Sequence, residues 1–332
     1  MKRFILAHAL VAIVFSTFCI ATTNADPLPG EIAKFIQLPL NGGLPIALTP
    51  GSIPPGAVSG AQQPFPGHDE LSTAWRTQAG GPFTGQFMAD DFSDNVSGDL
   101  VHIQWWGSYM SQHTNIADQF LISIESDVPQ SPDNPFSHPG TPLLNQIVTR
   151  GALFPQSGTF TEIPVPIGPG SPDGNLFQYN AELAIPFPEK AGEIHWLKIV
   201  ALDPAHSPTD PASVQWGWHN RDWGLKDNLA AAVLPGERDI SSIPGLPLWH
   251  FQDDAVSGNI AITLSAGGLP LVDQAGYAPQ SYHAPYDVPT ILDGRSKDLA
   301  FVLYTNVPEP GSIVMLAMGA VSLSFVGLRR RR

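Results

Sequence analysis

One short segment combines three indole rings with polar side chains, as carbohydrate-binding surfaces do. Residues 216–223 read WGWHNRDW, which places Trp216, Trp218 and Trp223 close to Asn220 and Asp222. Flat aromatic rings can stack on the apolar faces of sugars while amide and carboxylate groups bond the sugar hydroxyls. The segment is therefore a candidate carbohydrate-binding site. The alternative, which we favour, is that its rings are buried in a β core.

A second cluster consists of carboxylates. Asp90, Asp91, Asp94 and Asp99 lie within one short stretch of the chain. Calcium takes about six to eight oxygen ligands, and carboxylates are prominent among them. The spacing differs from that of an EF-hand loop, and Asp is also common in solvated turns. We expect no cofactor, and this calcium site is the one exception that the sequence suggests.

Short catalytic motifs are missing from the chain. No GxSxG, HExxH, GxGxxG or P-loop pattern occurs between the two terminal segments, which weakens the hydrolase, zinc peptidase, dinucleotide-binding and NTPase interpretations. The single cysteine, Cys19, lies in the N-terminal apolar segment, so the exported chain has no thiol for a disulfide, a zinc site or catalysis. We predict a non-enzymatic protein, although two carboxylates that cleave a polysaccharide would need no motif.

Short apolar segments separated by proline and glycine make up the middle of the chain. Six of them show clear strand patterns: Leu100–Tyr109, Gln119–Glu125, Glu193–Leu202, Ser213–His219, Asn259–Ser265 and Asp298–Thr305. Weaker candidates are Gln86–Phe92, Leu144–Thr149, Thr159–Val165 and Leu183–Phe187. Many short strands without intervening long helices predict an all-β fold, specifically an antiparallel β-sandwich or jelly-roll-like single domain.

The ends of the chain differ from this middle part. Residues 1–25 have a basic start, an apolar run and a small-residue cleavage site, which predict a secretory signal peptide removed by signal peptidase. Residues 26–65 are rich in proline and glycine and predict a lead-in with one strand near residues 34–38. We place the sandwich domain at residues 66–306 and a separate C-terminal segment at residues 307–332.

That C-terminal segment has three parts. Pro308, Glu309 and Pro310 precede an uncharged apolar stretch that could span a thin bilayer as a helix. The basic residues that close the chain, and that should stay on the cytoplasmic side, are Arg329, Arg330, Arg331 and Arg332. This order resembles the PEP-CTERM sorting signal of exported bacterial proteins. The resemblance implies that an exosortase-type membrane protease recognises Pro308, Glu309 and Pro310, often in an exopolysaccharide or biofilm context.

Five phrases of the body, in the same order, resemble an uncharacterised family of exported bacterial proteins, many from planctomycete-type genomes and many with PEP-CTERM tails. These phrases are MADDF at Met88–Phe92, IQWWGSY at Ile103–Tyr109, WGWHNRD at Trp216–Asp222, QDDAV at Gln252–Val256 and DLAFVLYT at Asp298–Thr305. The resemblance implies a β-sandwich and provides no catalytic residue to transfer.

The net negative charge of the chain limits the kinds of partner that it can bind. The chain has 30 acidic and 16 basic residues, and Lys2, Arg3 and the four terminal arginines lie outside the predicted domain. The acidic exported part argues against nucleic acid as a partner, since phosphate contacts need clustered Lys and Arg.

These features predict an exported structural or adhesive protein of the cell envelope or extracellular matrix, anchored in the inner membrane by its C-terminal helix, transiently or stably. Its expected partners are signal peptidase, an exosortase-type protease, and an exopolysaccharide or matrix protein. The first alternative is a carbohydrate-binding module for exopolysaccharide, and the second is a polysaccharide-acting hydrolase or lyase.

Overall fold

The described part of the chain folds into strands alone. The computed structural model describes residues 28–39, 69–93, 97–110, 115–165, 176–220, 255–280 and 298–306. The strands are β1 (Glu31–Gln37), β2 (Asp69–Leu71), β3 (Thr73–Trp75), β4 (Phe83–Phe92), β5 (Gly98–Tyr109), β6 (Gln119–Val128), β7 (His138–Arg150), β8 (Thr159–Pro164), β9 (Phe177–Glu189), β10 (His195–Asp203), β11 (Trp216–His219), β12 (Val256–Leu264), β13 (Pro270–Pro279) and β14 (Phe301–Asn306). Within these ranges there is no helix, so the all-β prediction is confirmed.

All fourteen strands belong to one sheet. Its order is β1-β14-β5-β9-β8-β7-β6-β10-β3-β4-β12-β13, and β11 pairs with both β2 and β5. Only β10–β3 and β7–β8 are parallel among these pairings. Ser72, directly after β2, receives a hydrogen bond from the Ala201 amide and donates its own amide to the Trp216 carbonyl. The sheet therefore curls from β5 round to β10 and back through β11 to β5, with one face turned towards a common core.

The main core fills the inside of this curled sheet and is dominated by aromatic rings. The Trp105 and Tyr179 rings are stacked with centroids 5.3 Å apart, and Phe120 meets Trp216 edge-on at 5.0 Å. These side chains come from β5, β6, β9 and β11. Ring pairs of this kind add to the stability that burial of apolar area already provides.

A second core lies on the opposite face of β4, β6 and β10, where the β12–β13 hairpin covers them. All nine residues of β10 are buried, because this strand faces both cores. Leu197 and Ile199 point into the main core, whereas Trp196 and Val200 point into the second core. This alternation follows from the period of two along a strand.

The proline-rich lead-in supplies the edge strand β1. Six residue pairs join β1 to β14, and Phe35 stacks on Phe301 with ring centroids 5.0 Å apart. The strand that was expected near residues 34–38 is therefore part of the sheet. Its pairing extends the structural domain upstream of the predicted boundary at residue 66.

Candidate functional site

The structure buries the tryptophans that the sequence offered as a carbohydrate platform. Trp216 and Trp218 are both 0% exposed, because alternation along β11 turns both rings towards the main core. The Trp216 Nε1 donates to the Tyr179 hydroxyl at 3.1 Å, and the Trp218 Nε1 donates to the Ala300 carbonyl at 3.0 Å. The surface-platform prediction is thus wrong for these two residues, which lie in the core as the alternative interpretation expected.

The polar residues of segment 216–223 give no support to a surface binding site in the described structure. Asn220 follows β11 and is fully buried, so its amide is also closed to a surface ligand. Asp222 and Trp223 lie outside the described residues, and their predicted role stays a prediction. The other tryptophans in the described ranges, Trp75, Trp105, Trp106 and Trp196, are buried as well.

The side chains of the carboxylate cluster do not converge on one point either. Asp90 and Asp91 are adjacent in β4 and fully buried, so their side chains point to opposite faces of the sheet. Asp90 accepts a hydrogen bond from the Leu299 backbone amide at 2.7 Å, which ties β4 to the segment just before β14. Asp99 is exposed at the start of β5, and Asp94 lies outside the described residues.

One calcium ion cannot be bound by the side chains of both Asp90 and Asp91, so this part of the calcium prediction is wrong. Among the described residues, no group of three or more His, Cys, Asp or Glu side chains could hold a metal ion. A role for Asp94 with other ligands stays a prediction.

The predicted sorting residues and the predicted transmembrane helix also lie outside the described ranges. These residues are Pro308, Glu309, Pro310, Arg329, Arg330, Arg331 and Arg332. The ranges that are described contain no helix that is both long and apolar enough to cross a bilayer.

One buried cluster has the residue types of a nucleophilic triad but a different arrangement. The Ser108 hydroxyl donates to Asp69 Oδ2 at 2.6 Å, and His219 Nδ1 lies 2.9 Å from Asp69 Oδ1. An activated serine must give its proton to the base, whereas Ser108 gives its only proton to the central carboxylate. The cluster joins β2 to β5 and β11 and does not prepare Ser108 for attack.

A cavity of about 500 Å³ at one end of the main core is lined by Arg76, Asp118 and Arg150. The Arg150 guanidinium donates to Glu162 at 3.0 Å and to the Ala117 carbonyl at 2.6 Å. Tyr109 also donates to Glu162, at 2.6 Å. Burial, reinforced by the Glu162 carboxylate, raises the pKa of Tyr109 well above its usual value. Arg150 and Glu162 are thus paired with each other, and Arg150 also lies 3.5 Å from Asp118.

A groove of about 700 Å³ lies on the face of β4, β12 and β13 that is opposite the second core. Register places Gln86 opposite Asn259, and Asn259 opposite Ala275, so these side chains share one face. Thr84, Ala261 and Asp273 form the next row in the same way. The groove is also lined by Leu71, Trp75, Thr77 and Pro208, which we call its wall; the side chains on β4, β12 and β13 form its floor.

A smaller depression of about 280 Å³ continues the groove past Gln86 and Asn259. It adds Glu70, Ser257 and Gln280, whose Nε2 donates to Ser257 Oγ at 2.8 Å. None of the described residues that line either depression is Lys, Arg or His. Carboxamides both donate and accept hydrogen bonds, so Gln86 and Asn259 can bond the hydroxyl groups of a ligand.

Sequence reasoning missed this groove because its polar residues carry no local motif. Gln86 and Asn259 lie on strands far apart in the chain, and each reads as the solvent side of an alternating pattern. Only the β4–β12 pairing brings them together.

Comparison with known proteins gives two matches. Residues 59–261 match a family described as a domain of unknown function, DUF7901, and residues 306–332 match the PEP-CTERM protein-sorting motif. No curated protein and no solved structure matches the chain. The predicted PEP-CTERM resemblance is confirmed, whereas the resemblance of the body is shown only as DUF7901. The sorting motif implies export, with membrane-associated sorting by an exosortase before processing. The chain therefore belongs to the DUF7901 family and carries a C-terminal PEP-CTERM sorting motif.

Proposed function

We propose that this chain is a non-enzymatic structural or adhesive protein of the cell envelope or extracellular matrix. The observation that supports the proposal is the sorting motif at residues 306–332, attached to a domain whose described residues form three buried apolar clusters. The polar clusters at Asp69 and at Glu162 also join neighbouring strands, which suits a structural role. An exopolysaccharide or a second matrix protein is the proposed partner outside the cell.

A strain that lacks the protein tests this role. We expect the wild-type protein to fractionate with the extracellular matrix, and we expect matrix from the deletion strain to show a lower yield stress in rheometry. The full-length gene, supplied in trans, should restore the yield stress. Unchanged rheology, with the protein confined to the inner-membrane fraction, would contradict the proposal.

Carbohydrate binding is the second candidate, and the groove on β4, β12 and β13 is the observation that favours it. Its floor presents the amides of Gln86 and Asn259 on one face. The proposed ligand is a neutral glycan, because the groove lining contains acidic but no basic side chains among the described residues. The site differs from the one that residues 216–223 suggested.

Loss of the two floor amides should weaken glycan retention. For the full chain carrying Q86A and N259A together, we expect retention on neutral exopolysaccharide to fall about tenfold or more, since each lost hydrogen bond contributes about 1 kcal/mol. Gln156 is exposed outside the groove, so Q156A is the matched control and should bind like wild type. Equal retention of all three proteins would eliminate the groove as the site. Shortening of the glycan during incubation would instead support the polysaccharide-acting enzyme.

A further inference from the structure

A lysine, a glutamate and a carboxamide from three different strands meet beside the second core. Lys198 lies on β10, Glu125 on β6 and Gln274 on β13. Lys198 Nζ is 2.5 Å from Glu125 Oε1, and both side chains are 0% exposed. The same Nζ contacts Gln274 Oε1, while Gln274 Nε2 donates to Glu125 Oε2 at 2.6 Å. Each of the three groups therefore touches the other two.

The surroundings of this trio are apolar. The Lys198 Nζ lies 4.2 Å from the centre of the Phe87 ring, and Leu121, Trp196 and Val256 belong to the same core. A buried ion pair is expensive to desolvate. Burial lowers the pKa of Lys198, an effect that the Glu125 carboxylate only partly opposes. Burial thus shifts Lys198 towards its neutral amine form, which lies beside the carboxamide.

We propose that Lys198 and Gln274 become joined by an intramolecular amide bond, with Glu125 as the group that transfers the protons. A neutral amine is a nucleophile, and Nζ contacts the oxygen of a carbonyl whose C=O bond is about 1.23 Å long. The amine is therefore placed next to the Cδ that it must attack. The neighbouring strands hold both partners in place, which removes most of the entropic cost of bringing them together.

The step balances without an oxidant, a metal or a second substrate. The Lys198 ammonium gives one proton to Glu125, and the free amine forms a bond from Nζ to Gln274 Cδ. The bond from Cδ to Nε2 then breaks. Nε2 lies 2.6 Å from Glu125 Oε2, takes the proton that Glu125 now carries, and leaves as ammonia. The attacking nitrogen loses its second proton to the departing ammonia, so Glu125 ends as it began and one ammonium ion is released.

Such a bond would tie the edge hairpin to the centre of the sheet. Lys198 and Gln274 are 76 positions apart, and β13 is the last strand of the sheet, reached from β10 through β4 and β12. The exported chain has no cysteine with which to make the equivalent connection by a disulfide. A covalent link in the core gives the same protection against local opening of β12 and β13.

Peptide mass spectrometry of the purified, denatured full chain tests the proposal. Trypsin cannot cleave after an acylated lysine, so we expect one branched product that joins residues 191–221 to residues 239–295. Its mass should be lower than the sum of the two peptides by about 17 Da, the mass of one ammonia. The variant E125Q should lose the branched product and release residues 191–198 as a separate peptide.

The matched control is K34M. Lys34 is also buried against a carboxylate, with its Nζ 2.7 Å from Glu189 Oε2 and the two side chains 1% and 0% exposed. This variant removes a buried lysine of the same kind and should keep the branched product. Recovery of residues 191–198 as the main product from folded wild-type protein would overturn the proposal, whatever the variants show.

Discussion

Replacement of Trp218 by alanine should lower the free energy of unfolding by about 3–5 kcal/mol, the usual cost of removing a fully buried large aromatic side chain. The Trp218 ring packs edge-on against Phe301 at 5.9 Å, and its Nε1 satisfies the Ala300 carbonyl. The variant W218A leaves a cavity in the main core and an unpaired carbonyl beside it. Urea unfolding followed by circular dichroism measures the change.

Two further variants separate the causes of that loss. W218F keeps most of the ring volume and removes only the hydrogen bond, so its cost should be about 1–2 kcal/mol. L153A truncates a side chain that is 76% exposed and should change stability by less than about 0.5 kcal/mol. A W218A protein as stable as wild type would show that the ring is not a core residue and would reopen the surface-platform interpretation.

Substitution of Gly107 by alanine should destabilise the protein by about 3 kcal/mol, at the upper end of the range for overpacking. A Cβ at this position would lie 2.5 Å from Cε2 of the Trp216 ring and would also overlap the Gly217 carbonyl oxygen. Gly107 pairs with Trp218 across the β5–β11 ladder, so the backbone cannot move away without loss of those hydrogen bonds. The indole of Trp216 thus lies directly on the glycine.

The control for this substitution is G267A. A Cβ at Gly267 would meet nothing closer than the Ser265 hydroxyl at 3.9 Å, so thermal stability should stay close to that of wild type. The midpoint of thermal unfolding of both variants and wild type gives the comparison. Equal midpoints for G107A and wild type would contradict the close packing of β11 on β5.

Strand patterns with regular alternation were sufficient to predict much of the fold. Ser213–His219 and Gln119–Glu125 alternate because each has one face on the main core, and their strands are present as β11 and β6. The sequence also predicted that Trp216 and Trp218 share a face. It could not show which face was solvated, because an aromatic residue on a strand fits a core and a binding surface equally well.

Other strands have no recognisable pattern in the sequence. β13 exposes most of its residues, so it lacks the apolar alternation that reveals a half-buried strand. β2 and β3 have only three residues each. The groove and the Lys198–Glu125–Gln274 contact depend on pairings between distant strands. Because a single sequence does not show which strands pair, it cannot predict that Gln86 lies next to Asn259 or Lys198 next to Gln274.

The most direct test of export and sorting is mass spectrometric analysis of the C-terminus of the protein in separated cell fractions. We expect wild-type protein at the cell surface or in the matrix to lack Arg329–Arg332, because an exosortase has removed the segment after recognition of the motif. The combined variant P308A, E309A and P310A should keep these arginines and accumulate in the inner membrane. Wild-type and variant chains that both retain the arginines and distribute equally between the fractions would contradict exosortase sorting of this protein.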